Sequence, residues 1–217
     1  MHSDLEDGFS AFSTAEISKL QAELGAKESD VRDWEKIKNF LESNFVDIAL
    51  QELSKHAVAS DLELARSYLN WKGRIRAGAV EIIRNFGDES DVDLLAEAAE
   101  KSHGQVAEDA AEAAIELSKD NWDLFGRFLS GGNSGICKIA VRKLKESPGL
   151  ADLEELEKLL LDESAIVRMS AVEVVVSLLD DKKILELLER YAESIYYYDV
   201  STYLDKALYA PKAWQVV

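Results

Sequence analysis

The residues best equipped for chemistry in this 217-residue chain are carboxylates. Glu108, Glu112 and Glu116 recur at four-residue steps, which places them on one face of a helix. Paired carboxylates are the usual equipment of general acid–base catalysis, glycoside hydrolysis included. That chemistry also needs a groove and two environments different enough to separate the two pKa values, and spacing alone supplies neither. A solvated acidic face, or a face that docks a protein, is the simpler expectation. The three histidines, His2, His56 and His103, lie far apart, outside any metal-binding helix signature or cysteine–histidine group. One cysteine, Cys137, excludes an internal disulfide framework and a multi-cysteine zinc site; between Ile136 and Ile139 it is expected to be a small buried residue. The run from Ser130 to Gly135 is rich in glycine, as phosphate loops are, but it lacks a preceding strand and the lysine–serine/threonine pair. It is read as a turn. These residues support no catalytic group, no metal site and no cofactor site.

The elements that position these residues repeat. Segments beginning at Phe45, Ile75, Val106, Ile136, Val167 and Tyr197 stand 30, 31, 30, 31 and 30 residues apart, a period in the range of helical solenoids. Apolar residues at three- and four-residue steps predict first helices around 61–70, 91–101, 121–130, 151–161 and 182–190. Second helices are expected to begin near Arg74, Gln105, Gly135, Ala165 and Tyr197. Ala79, Ala110, Ala140 and Ala171 hold the same place in four successive second helices, where a small side chain lets neighbouring helices approach. Gly73, Gly104 and the 130–135 run mark turns inside pairs, and Pro148 marks a boundary between pairs. The expected fold is all-α: a right-handed α-solenoid of about six stacked helix pairs. It is expected to form a single domain over 1–217, with an N-terminal capping region at 1–30 and an atypical capping region at 191–217.

Ile75-Arg76 with Ala79, and Leu160-Leu161-Asp162-Glu163-Ser164 followed by Val167-Arg168 and Ala171, carry a resemblance to HEAT-like repeats. The pattern resembles in particular the short repeats of the phycobilisome lyase family, over roughly residues 31–210. Ala107 and Cys137 stand where the Val-Arg feature has arginine. The resemblance implies an α-solenoid used mainly to bind proteins, and in specialised members to handle a bilin chromophore.

With 42 acidic and 25 basic residues the formal charge is −17, which disfavours nucleic acid and anionic membrane surfaces and favours attraction to a basic protein. Glu97, Glu100, Glu108, Asp109, Glu112 and Glu116 concentrate acid in the central repeat, whereas Lys138, Arg142, Lys143 and Lys145 make the next one basic. Tyr196, Tyr197, Tyr198 and Trp214 give the C-terminal region large amphipathic side chains suited to capping or to a protein contact. These ten residues are the expected protein-binding positions. No stretch is apolar enough for a membrane span and the start is polar, so a cytoplasmic location is expected. The reading is a noncatalytic protein-binding scaffold, an inhibitor or immunity protein for a basic enzyme or toxin. An assembly adaptor or chaperone is one alternative, and a bilin lyase or isomerase is the other.

Overall fold

The described first helices each follow an acidic or amide side chain that accepts a hydrogen bond from a nearby backbone N–H. In the computed structural model the described residues are 18, 19, 22, 41, 42, 46–70, 74, 76–119, 121–190 and 202. Among them the fold is all-α with no strand. Ten helices have described bounds: α1 (Val46–Lys55), α2 (Leu62–Tyr68), α3 (Ala77–Phe86), α4 (Val92–Lys101), α5 (Gln105–Leu117), α6 (Trp122–Ser130), α7 (Ser134–Glu146), α8 (Leu153–Leu159), α9 (Ala165–Leu178) and α10 (Asp181–Arg190). Apart from Thr202, the C-terminal region expected to cap the fold lies outside the described residues, as does nearly all of 1–30.

Asp61, Asp91, Asn121 and Asp152 stand 30, 30 and 31 residues apart and introduce α2, α4, α6 and α8. They do so in two ways. Asp61 and Asp91 are buried and end short 3-10 turns, each carboxylate reaching back to accept from a backbone N–H, that of Val58 at 2.9 Å and that of Asp88 at 3.0 Å. Asn121 and Asp152 instead accept forward, from Asp123 N at 2.9 Å and from Glu154 N at 3.0 Å. Second helices are started by other means. Asn133 accepts from the N–H groups of Gly135 and Ile136, while Gly104 introduces α5 at φ +61, a conformation that favours glycine. The first turn of α3 begins later than the expected Arg74. Arg76 is extended, with its N–H given to Leu69 O at 3.0 Å and its guanidinium held by Asp47 at 2.6 Å, so helix starts only at Ala77.

The chain divides into two compact units, Met1–Gly87 and Asp88–Val217. In the first, α3 packs on α1 and α2. Val46, Ala49, Leu50 and Leu53 of α1 meet the buried face of α3, formed by Ala79, Val80, Ile82 and Ile83. The crossing is tight because of Gly78: a Cβ there would stand 2.3 Å from Leu50 C and 2.4 Å from Leu50 O.

In the second unit α4 packs on α5, α6 on α7 and α8 on α9, while α5, α7 and α9 are neighbours in that order. Alanines line the α4–α5 contact, and Phe125 and Phe128 of α6 are each 1% exposed. Burying an aromatic ring of that size contributes about 2–3 kcal/mol. Ala110, Ala140 and Ala171 are each 0% exposed in this unit, as Ala79 is in the first, in accord with the small seam position read from sequence.

The arginine position of the motif has a recognisable task. Arg168 is 6% exposed and donates from Nη1 to the carbonyls of Asp162 and Glu163 at 2.8 and 2.9 Å, tying down the turn that precedes α9. Cys137 occupies the corresponding place in α7, and its thiol lies 3.4 Å from Phe128 O and 3.5 Å from Leu129 O at the end of α6. Both side chains secure the second helix to the segment before it. The long side chain reaches carbonyls of the turn, whereas the short one reaches carbonyls at the end of the preceding helix.

Candidate functional site

The six central acidic residues fall on two helices. Glu97 and Glu100 belong to α4, whereas Glu108, Asp109, Glu112 and Glu116 belong to α5, which carries four carboxylates and no cation. Tyr196, Tyr197, Tyr198 and Trp214 lie outside the described residues.

On α4 the acids are already engaged. Glu100 receives Arg127 of α6 through two parallel bonds, Nε to Oε1 at 2.6 Å and Nη2 to Oε2 at 2.7 Å, and the same guanidinium stands 3.7 Å from Asp93. The hydrogen bond to Glu100 raises the pKa of Arg127 above its ordinary value. Lys101 holds Glu97 one turn away, and that hydrogen bond lowers the Glu97 carboxyl below the usual carboxylate range.

On α5 the partners come from α7, a helix with four cations and one carboxylate. Arg142 reaches Glu112 at 2.6 Å, and Lys143 stands 3.7 Å from Glu112, 3.9 Å from Glu116 and 3.8 Å from Glu146 of its own helix. Lys145 turns the other way, to Glu173 of α9 at 3.1 Å. Asp109 accepts from Gln105 at 2.8 Å. Glu108 lies over the first turn of α7, its Oε1 2.6 Å from where a Cβ on Gly135 would stand. A carboxylate there faces the positive end of the helix dipole.

Along the sequence the acidic and basic stretches form two adjoining fields; in the structure they interlock. Glu112 and Arg142 are separated by 30 residues and Lys145 and Glu173 by 28, close to one step of the repeat. First helices pair with first helices in the same way, Arg127 with Glu100 over 27 residues and Arg190 with Glu157 over 33. Lys143, which breaks the apolar pattern of its helix, is the cation shared among Glu112, Glu116 and Glu146. The signal that could have revealed this was available, since opposite charges recur at the repeat step.

Acid–base chemistry gains little from this arrangement. Each carboxylate of the 108–116 row lies beside a cation, an amide or a helix start, and none is buried. Desolvation, the usual means of raising a catalytic carboxyl, is therefore missing from this row. His56 and His103 are exposed. Cys137 is 1% exposed, and burial pushes its thiol up. Among the described residues no group of three histidine, cysteine, aspartate or glutamate side chains is arranged to hold a metal ion, and no helix is long and apolar enough to cross a membrane. Comparison of the chain with known protein families, curated proteins and solved structures returns no match.

Proposed function

We propose that the chain is a noncatalytic, cytoplasmic protein-binding scaffold whose acidic surface takes a basic protein, an enzyme or toxin that it inhibits or masks. The observation that carries this reading is the charge that survives internal pairing. Across α4, α6 and α8 there are seven carboxylates and three cations, and those cations, Lys101, Arg127 and Lys158, all sit against carboxylates already. Asp93 is 99% exposed and Glu154 is 85% exposed, so the surplus faces solvent. Such a field accelerates encounter with a basic partner and fixes its orientation.

The scaffold we propose is a HEAT-like, right-handed α-solenoid. Support comes from the side-by-side order of α5, α7 and α9 in the second unit and from helix caps recurring at 30 and 31 residues. The same step carried along the whole sequence gives about six pairs, as in the repeat family whose Val-Arg motif the chain resembles.

Affinity capture coupled to mass spectrometry tests the reading, with variants chosen for their surroundings. Reversing Glu112 would set a new cation against Arg142 and Lys143, mixing a folding effect with a binding effect. The neutralised pairs Asp93→Asn with Glu97→Gln and Glu108→Gln with Asp109→Asn are better suited, because they remove carboxylates without setting a new cation against Lys101, Arg127 or the start of α7. Retention of a basic protein by the wild type, and its loss from at least one pair that keeps full helicity, supports the reading. Return of only neutral or acidic assembly subunits refutes it. That second outcome would favour an adaptor or chaperone, the reading consistent with the exposed apolar side chains Ile166 and Met169 on α9.

A further inference from the structure

We draw no further inference here: the strongest candidate, the apolar face that Ile166 and Met169 expose on α9 beside the cleft between α7 and α9, carries none because nothing in the structure shows what covers it, the Arg142 and Lys145 of that cleft being already paired with Glu112 and Glu173.

Discussion

Two glycine-to-alanine substitutions should move stability in opposite directions. In a helix interior alanine is favoured over glycine by about 0.8–1 kcal/mol, and by less at Gly78, the second residue of α3, so propensity alone makes both exchanges stabilising. At Gly126, in the middle of α6, the added Cβ would meet only Trp122 Nε1 at 3.8 Å, an ordinary contact. Gly126→Ala should therefore gain most of that value. At Gly78 the Cβ would stand 2.3 Å from Leu50 C, 2.4 Å from Leu50 O and 2.6 Å from Gln51 N. These are backbone atoms, unable to rotate away, and carbon atoms in comfortable contact are about 3.5–4.0 Å apart. Helices α1 and α3 would have to separate by more than about 1 Å, loosening the contact around Leu50, Leu53, Ile82 and Ile83. Overpacking of this kind costs about 1–3 kcal/mol and sometimes more. With backbone on the receiving side the upper end applies, and after the propensity gain the net loss is about 2 kcal/mol. In a unit of this size that is a fall of about 8–16 °C in Tm. Differential scanning calorimetry measures the shift, and hydrogen exchange should localise the faster opening to α1 and α3. A Gly78→Ala protein as stable as the wild type would refute the crossing, as would Gly78→Ala and Gly126→Ala shifting Tm in the same direction.

Other expectations follow from single sites. Lys119 holds φ +44 just beyond α5, a conformation that costs a side-chain-bearing residue about 1 kcal/mol, so Lys119→Gly should raise the urea midpoint. Asp91→Ala removes the buried carboxylate that accepts from Asp88 N and should destabilise the second unit by about 1 kcal/mol in the same assay. The Cys137 thiol is pushed up by burial, so its folded pKa lies above its unfolded one; its contribution is complete below the unfolded pKa and is lost as pH rises through the folded value. Alkylation by iodoacetamide at pH 8 should accordingly track global unfolding, and fast labelling of the native protein would count against this placement. A double-mutant cycle on Glu112 and Arg142 should give a coupling below about 1 kcal/mol, since Arg142 is half exposed.

Periodicity made the helices legible because it reflects burial. Ala110, Ala140 and Ala171 recur because each fills the same close contact, and Gln105 and Ala165 mark the starts of α5 and α9. Local signals located the first helices to within a few residues. They did not reveal that Asp61 and Asp91 are buried acceptors while Asn121 and Asp152 are exposed caps, because both residue types can serve either way. Gly78 was hidden beside the alanine that the repeat pattern emphasises. The candidate site was legible as composition and obscure as geometry. A row such as Glu108, Glu112 and Glu116 defines one helix face, but which cations face it depends on which helix packs alongside. Once α5 and α7 are neighbours, the acidic and basic rows act on each other first. What remains is the surface offered to solvent.

The remaining acidic surface is proposed to select a basic partner. The most direct measurement is the association rate between the chain and its captured partner as salt rises from about 0.05 to 0.5 M, a range over which the screening length falls from about 14 to 4 Å. A drop of at least about tenfold is expected, reduced in the Asp93→Asn, Glu97→Gln protein. An association rate that stays constant or rises with salt would contradict that selection.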